Sequence, residues 1–153
     1  MKKTTFIMLK PDAMEAGLEN EILQVFKSEG IDVVRSKTVL IDEKLILTHY
    51  NEVIERVNIP DFPERIKREF VGKTVRVFEL FSHSDDVVAK VRTIVGPTDP
   101  AKADKTTIRG RFGTDSMELA KTESRMVRNL IHASDSDESA EIEKALWFNH
   151  INQ

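Results

Sequence analysis

The residues Thr4-Thr5-Phe6-Ile7-Met8-Leu9 form a short, nearly all-apolar run close to the start of the chain. A run of this length without polar alternation is typical of a strand buried on both faces of a sheet. Three further stretches are predicted to be strands, at Ile31–Leu40, Thr74–Phe81 and Val127–His132. We therefore expect a sheet of four strands with Thr4–Leu9 in a central position.

Helical patterns alternate with these strands. An apolar stripe at Leu18, Ile22, Val25 and Phe26 predicts a first helix, and Gly30 stands where a glycine commonly ends a helix. Two further helices are predicted, in residues 43–55 and from Pro63 to about Phe70. Another is predicted to begin at an N-cap at Ser84, with Asp85 and Asp86 in its first turn. The last begins at a capping box of Asp135 and Glu138 and runs to about Phe148. This order contains the β-α-β-β-α-β pattern, with extra helices after the second strand and at the end. It predicts an α+β, ferredoxin-like sandwich with an antiparallel four-stranded sheet.

Length and composition restrict the classes of function. The 153 residues suit a single domain, 1–153, and the net charge of −3 argues against a broad basic face for nucleic acid. No apolar run is long enough to span a membrane, and the apolar stretch near the start is too short for a signal peptide, so a cytoplasmic protein is expected. The chain has no cysteine, which excludes disulfides, thiolate metal sites and a cysteine nucleophile.

The longest segment without a clear pattern is residues 97–127. It is predicted to be an irregular, flexible loop with one helical piece near Ser116–Glu123, and it is rich in lysine and arginine. None of the six glycines builds a Walker A loop or a dinucleotide fingerprint, so phosphates would have to be held by lysine and arginine side chains. The sequence shows no clustered pair of histidines, and a dedicated transition-metal site is not expected.

His132 differs from the other three histidines in its context. It ends an apolar strand and is followed by a small residue, a hydroxyl and a carboxylate, in Ala133-Ser134-Asp135. An imidazole in this setting can be a base, a metal ligand or a nucleophile, or it can be a satisfied histidine near a helix cap. Glu143 shares a helix face with Ala140 and Trp147, and a carboxylate on an apolar face is unusual without a partner.

Five segments, in order along nearly the whole chain, resemble the nucleoside diphosphate kinase family. Asn129–Ser136 is similar to its N-x-x-H-[GA]-S-D-[SA] signature, and Thr5–Asp12 resembles its first strand with the K-P-D element. Gly96-Pro97-Thr98-Asp99-Pro100, Thr107-Ile108-Arg109-Gly110 and the final helix from Glu138 to Phe148 also match its pattern. The resemblance outweighs the reading of His132 as a merely structural histidine.

The resemblance implies a phosphotransferase that moves the terminal phosphate of a nucleoside triphosphate, typically ATP, to a nucleoside diphosphate. His132 would carry the phosphate as a pros-phosphohistidine, oriented by Ser134 and Glu143, with Tyr50 beside it. Lys10, Arg92, Thr98 and Arg109 would grip the phosphates, and Asn129 would bind the sugar. Mg²⁺ would be held mainly through the nucleotide phosphates and not by dedicated protein ligands. Because the base would only stack on an aromatic side chain, broad base specificity is expected.

The chain departs from the family pattern in three places. Met14 stands where the family has valine, and the segment between Tyr50 and Arg92 is longer than usual, so that Phe62 aligns best as the stacking aromatic, with Phe70 as a rival. The segment between Arg109 and Asn129 is about twice the usual length. Since the family uses this loop in subunit contacts, we expect a homo-oligomer built from dimers but leave its size open between dimer, tetramer and hexamer. The rival function is a non-catalytic nucleotide- or nucleic-acid-binding module on the same fold, which would not need His132 and its supports.

Overall fold

The computed structural model describes residues 3–83 and 86–151, and its centre is an antiparallel sheet of four strands. The strands are β1 (Thr4–Leu9), β2 (Ile31–Leu40), β3 (Thr74–Ser82) and β4 (Ile131–Ala133), and they lie in the order β2-β3-β1-β4. This order confirms the predicted ferredoxin-like α+β fold. The prediction for β1 is also confirmed, because it lies between β3 and β4 and residues 5–9 are all buried.

Helices cover both faces of this sheet. Their bounds are α1 (Pro11–Glu15), α2 (Glu19–Ser28), α3 (Glu43–His49), α4 (Asn51–Arg56), α5 (Phe62–Phe70), α6 (Val87–Val95), α7 (Ile108–Phe112), α8 (Met117–Thr122) and α9 (Asp137–Phe148), with a short 3-10 turn at Pro100–Lys102. Among the described residues, no helix combines the length and the apolar character needed to cross a bilayer.

Successive residues of β1 point to opposite faces of the sheet and divide the core in two. Ile7 and Leu9 pack with the apolar residues of α2 and α6 on one face. Phe6 and Met8 pack on the other face with those of α3, α5 and α9, including the fully buried Trp147. The candidate site lies at the end of the sheet where β1 and β4 meet these two layers.

The fourth strand is shorter than the sequence predicts, and the predicted start at Val127 is wrong. Leu130 has a φ of 74°, in the left-handed region that is costly for a residue with a Cβ, so the extended backbone cannot run through it. This conformation is held by Asp12, whose carboxylate accepts from the Leu130 N–H at 2.9 Å, and by the Lys10 N–H, which donates to the Leu130 carbonyl at 2.8 Å. The turn thereby fixes the residues on either side of it, Asn129 and the start of β4.

The helix predicted in residues 43–55 is interrupted at Tyr50. This residue ends α3 and precedes α4, with a ψ of 7° that departs from helical geometry. The Tyr50 side chain is 9% exposed and packs in the core layer beside Phe70.

Two helix starts differ from their predictions. The predicted N-cap Ser84 and first-turn residue Asp85 lie outside the described residues, and the Asp86 side chain caps α6 by accepting from the Ala89 N–H at 3.1 Å. At α9 the cap is Ser136, one residue after the predicted Asp135, and it accepts from the Ser139 N–H at 3.0 Å. The end of α9 at Phe148 and the positive φ of Gly30 agree with the sequence predictions.

The segment 97–127 is not the structureless loop that its composition predicts. It contains the 3-10 turn, α7 and α8, and the helical piece predicted near Ser116–Glu123 is confirmed as α8, with Ser116 as its N-cap. Polar side chains drive these short helices, since the caps Asp99, Thr107 and Ser116 each accept from a backbone N–H of the following turn.

Candidate active site

His132 is the middle residue of β4, where it pairs with Met8 of β1. The strand holds its backbone, and the neighbouring Ala133 is buried, as expected for a small residue beside the imidazole. The His132 side chain is 21% exposed, so the ring is packed but reaches the surface of a cleft. It is therefore both oriented by the fold and accessible to a ligand.

One carboxylate orients this imidazole. The Nε2 atom of His132 lies 2.9 Å from Oε1 of Glu143 on α9, and the Ser134 hydroxyl donates to the same oxygen at 2.5 Å. Burial acts to raise the pKa of Glu143, but the hydrogen bond and charge of His132 and the Ser134 hydroxyl outweigh it, so the pKa is lowered. In the tautomer in which Nε2 of His132 donates its proton to the ionised Glu143, Nδ1 keeps its lone pair. This confirms that Glu143 has a partner despite its apolar helix face.

The structure brings a second histidine to His132, contrary to the sequence prediction of no clustered pair. The ring of His49 lies against that of His132 with centroids 4.6 Å apart and nearly perpendicular planes. Nitrogen atoms of both rings and a Glu143 oxygen lie within 4.8 Å of one another. The two histidines are 83 positions apart in the sequence, so no local pattern indicates this pair.

A hydrogen bond assigns the protonation of His49. The indole Nε1 of Trp147 donates to Nδ1 of His49 at 3.0 Å, so the proton of the neutral ring lies on Nε2. Burial, and then the proximity of His132, lowers the pKa of His49 to about 3, which keeps the ring neutral. Within this cluster Glu143 is hydrogen-bonded to His132, and His49 packs its ring against His132 while it accepts from Trp147.

Three cationic side chains surround the approach to His132. Lys10, at the end of β1, is 7% exposed and donates to the Asn129 side-chain oxygen at 2.7 Å. Burial, followed by repulsion from Arg109, lowers the pKa of Lys10 to about 8. Arg92 of α6 donates to the Ala133 carbonyl at 3.3 Å. The third cation is Arg109. Among the described residues, no carboxylate forms a salt bridge with Lys10, Arg92 or Arg109, so the local charge is positive.

Arg109 is fixed by backbone carbonyls. Its guanidinium donates to the carbonyls of Asn129 at 3.2 Å, Gly96 at 3.0 Å and Ile131 at 2.6 Å. Burial, and then repulsion from Arg92, lowers the pKa of Arg109 to about 10. Three of its five N–H donors are thus used for positioning, and the remaining donors can bind an anion.

The cleft beside His132 has a volume of about 970 Å³ and contains all but one of the site residues predicted from the sequence. Those that line it are Lys10, Tyr50, Phe62, Arg92, Thr98, Arg109, Asn129, His132 and Glu143, whereas Ser134 is buried beneath Glu143. Burial raises the pKa of Tyr50. Asn129 is tied into the frame, since its side-chain N–H₂ donates to the Thr98 carbonyl at 3.0 Å.

The two aromatic candidates for base stacking have different environments. Phe70 is 1% exposed and packs in the core against Tyr50, so it has no face available to a ligand. Phe62, at the start of α5, is half-buried and lines the cleft. The structure therefore supports Phe62 and argues against Phe70.

The site also uses residues to which the sequence analysis gave no role. His49 and Trp147 complete the support of His132, and Asp12 holds the Leu130 turn. A signal was present for Asp12, because an aspartate directly after a strand and a Lys-Pro pair suits a capping or turn role. For His49 and Trp147 the contact exists only after α3 and α9 pack together.

The cleft combines the imidazole of His132 with several cationic side chains. Nδ1 of His132 can act as a nucleophile toward an electrophilic centre whose anionic oxygens are held by lysine and arginine. An apolar aromatic wall at Phe62 suits the flat face of a ring. Phosphoryl transfer from a nucleotide fits all three features.

Comparison with known proteins agrees with this chemistry. The family model described as nucleoside diphosphate kinase matches residues 3–152. A nucleoside diphosphate kinase of Methanosphaera stadtmanae is 42% identical over 148 residues, which cover 97% of this chain and 87% of the relative. One of Saccharomyces cerevisiae is 39% identical, covering 94% of this chain and 84% of its own.

Two solved structures are also similar over nearly their whole length. One, from Borrelia burgdorferi, is described as a transition state mimic of nucleoside-diphosphate kinase with bound vanadate and ADP. It superposes with a TM-score of 0.88 at 26% identity and covers 99% of this chain and 91% of that one. The other, an NDP kinase from Pyrobaculum aerophilum, has a TM-score of 0.85 at 29% identity and covers 98% and 97%.

Proposed function

The chain belongs to the nucleoside diphosphate kinase family and transfers the terminal phosphate of a nucleoside triphosphate to a nucleoside diphosphate, and we propose that His132 carries the phosphate between the two nucleotides. The rival reading, a non-catalytic binding module, is wrong. The span of the family match, 3–152, supports treating the chain as a single domain.

In the first half-reaction, Nδ1 of His132 attacks the terminal phosphorus. A P–N bond forms as the bond from phosphorus to the bridging oxygen breaks, and the electron pair leaves with the nucleoside diphosphate. The attacking nitrogen needs no base, because Nε2 keeps its proton in the hydrogen bond to Glu143. Positive charge that develops on the ring is stabilised by that carboxylate. In the second half-reaction, a terminal oxygen of another diphosphate takes the phosphate from Nδ1.

The cations would bind the phosphate chain throughout this cycle. Lys10, Arg92 and Arg109 line the same cleft as His132, and their charges offset the negative charge of the transferring group. We assign Thr98 to a phosphate contact and the Tyr50 hydroxyl to the neighbourhood of the transferred group. The ADP and vanadate held by the Borrelia burgdorferi relative support a site for a nucleotide and a phosphate-like group in this fold.

The base and sugar would be recognised with few polar contacts. We assign Phe62 to stacking on the base and Asn129 to the sugar, since both line the cleft. Stacking is tolerant of base identity because every base has a flat apolar face. Broad base specificity follows from this arrangement.

Mg²⁺ fits the site as a companion of the nucleotide. This ion usually keeps several waters and binds through substrate phosphates and one or two carboxylates. Four of the described acidic residues line the cleft: Glu143 is engaged by His132 and Ser134, whereas Glu52, Glu118 and Asp135 are exposed, and Asp135 lies three positions from His132 in the sequence. We propose that the nucleotide phosphates supply most of the Mg²⁺ ligands and that the Asp135 carboxylate is suited to accept a hydrogen bond from a water bound to the ion. When bound, Mg²⁺ would neutralise phosphate charge.

A homo-oligomer is proposed from the edge of the sheet. β2 is an edge strand, and its Val33 and Val34 are 46% and 54% exposed. Exposed apolar residues on an edge strand are a ready surface for pairing with a second copy. A cytoplasmic location is likewise a proposal, which rests on the family membership.

One observation carries the proposal: His132 presents Nδ1 to a cationic cleft while its other nitrogen is bonded to Glu143. Incubation with ATP labelled in the terminal phosphate should give a protein phosphate that is labile in acid and stable in base. His132→Gln should remove the label and the activity, whereas His83→Gln, at a 71% exposed side chain outside the cleft, should keep both. Double-reciprocal plots should be parallel. Full turnover by a folded His132→Gln variant, or intersecting lines, would contradict the mechanism.

A further inference from the structure

Arg65 of α5 is a cleft residue that has no part in the mechanism above. It lies three residues after Phe62, and both side chains line the cleft. Residues three apart on a helix are neighbours on one face. A flat group that stacks on Phe62 is therefore within reach of the long Arg65 side chain.

The guanidinium of Arg65 differs from the neighbouring cations of α5 in its partners. Lys67 forms a salt bridge with Glu43 at 3.3 Å, and Arg68 donates to the Ser124 carbonyl at 3.0 Å. Within the part of the chain that the structure describes, no carboxylate forms a salt bridge with Arg65, and its Nε is shielded from solvent without a hydrogen-bond partner. Buried polar groups are nearly always hydrogen-bonded, so an unpaired guanidinium in the wall of a cleft points to a ligand as the missing partner.

The chemistry of a guanidinium restricts the groups that it can bind. It offers N–H donors in a planar fork and has no acceptor. Two adjacent acceptors on one edge of a ligand match this fork, and guanine presents such a pair in O6 and N7. Adenine presents N7 beside an amino group, which is itself a donor and opposes the fork. Arg65 can therefore distinguish the two purines, whereas a stacking aromatic side chain tolerates both.

We propose that Arg65 donates to the edge of the nucleobase that stacks on Phe62, and that it favours a base with the O6 and N7 acceptors of guanine. This inference rests on the proposed function and adds a preference to the broad base specificity. Every base still stacks on Phe62 and reacts at His132, but a base with these two acceptors gains a further contact. The contact is made at the base and not at the phosphates, so it strengthens binding of the nucleotide without changing the rate of phosphoryl transfer.

The test measures the second half-reaction in a single turnover. Phosphorylated protein is mixed with increasing GDP, inosine diphosphate or ADP, and the half-saturating concentration and the limiting rate of label loss are determined. Inosine diphosphate keeps O6 and N7 but lacks the 2-amino group of guanine, so it isolates the edge assigned to Arg65. Arg65→Met should raise the half-saturating concentration about three- to tenfold for GDP and inosine diphosphate and at most about twofold for ADP, with unchanged limiting rates. Lys67→Met, the matched control, removes a cation of the same helix outside the cleft and should equal the wild type.

Two results with Arg65→Met would overturn the proposal. One is wild-type behaviour, and the other is an equal loss for all three diphosphates, which would place Arg65 at the sugar or phosphates that they share. Should the methionine variant fail to fold, Arg65→Lys keeps the positive charge without the planar fork and should also lose the preference for GDP over ADP; an undiminished preference would contradict the assignment. Absence of any phosphorylated protein in the wild type would instead refute the proposed function, so the two failures are distinguishable.

Discussion

Replacing Lys10 by methionine tests how much the free energy of unfolding is lowered by holding a cation beside His132. Burial, together with repulsion from Arg109, lowers the pKa of Lys10 from 10.5 to about 8. One pH unit corresponds to about 1.4 kcal/mol, so the charged amine destabilises the nucleotide-free protein by about 3 kcal/mol relative to the neutral amine. Methionine keeps most of the apolar stem and removes the charge. The variant also loses the hydrogen bond to Asn129, which is worth about 1 kcal/mol.

The net expectation is that Lys10→Met is about 2 kcal/mol more stable than the wild type at pH 7, while phosphoryl transfer is severely reduced. The pH dependence follows from the sign of the pKa change. Because the folded pKa lies below the unfolded value, protonation of Lys10 opposes folding. This cost is fully present below about pH 8 and disappears as the pH rises toward 10.5, so the advantage of the variant should shrink between these values.

The assay is urea unfolding of both proteins at pH 7 and pH 10, without nucleotide. Taking the difference between the two proteins cancels groups that titrate equally in both. Lys44→Met, at an exposed lysine of α3, serves as the control and should show no such advantage. A Lys10→Met variant that is less stable than the wild type at pH 7, or an advantage of equal size at pH 10, would refute the reasoning. ADP should stabilise the wild type more than the variant, because the phosphates pair with the amine.

Three further outcomes are expected. Arg109→Ala should lower kcat/KM for every nucleotide by about tenfold or more, since it removes a charged phosphate contact, and steady-state kinetics showing a loss for one base alone would contradict this role. Glu143→Gln should slow phosphorylation of His132 about ten- to hundredfold in rapid-quench measurements, because an amide orients the imidazole less well than a carboxylate; an unchanged rate would leave Glu143 without this role. Asp115→Ala should lower the free energy of unfolding by about 2 kcal/mol at pH 7. The Arg125 hydrogen bond, together with the one from the Arg128 N–H, lowers the pKa of Asp115 to about 2. This stabilisation is therefore present above about pH 4 and is lost as the pH falls toward 2. If urea unfolding shows the same difference between the two proteins at both pH values, the assignment is contradicted.

Local sequence patterns predicted the bounds of several elements. β1 and β2 have the predicted bounds, and the end of α9 at Phe148 is as expected. The sequence predicts too long a fourth strand, because apolar composition carries no information about the sign of the backbone angle φ. At Leu130 the positive φ is imposed by Asp12, which is 118 residues away in the sequence. Tertiary hydrogen bonds of this kind override local propensity.

The residues of the candidate site also differ in whether physical reasoning from the sequence could identify them. Glu143 could be proposed from physical chemistry alone, because a carboxylate on an apolar helix face needs a partner, and the structure supplies His132 and Ser134. The phosphate-binding residues could not be chosen individually, since a lysine at a strand end or an arginine on a helix is usually solvated. Only the ordered set of family motifs separated Lys10 and Arg109 from the other cations of the chain.

The lowered pKa values of Lys10 and Arg109 explain why these two cations need the surrounding frame. Lys10 is buried, Arg109 is partly buried, and each lies near another cation. The Asn129 side chain holds Lys10, and three backbone carbonyls hold Arg109. Dipoles of this kind fix the positions of the cations but do not neutralise them, so the charge stays available for phosphate. A carboxylate in the same place would relieve the repulsion and compete with the substrate. Binding of a nucleotide should therefore both fill the cleft and remove a folding penalty, which couples stability to substrate through the same residues that carry the chemistry.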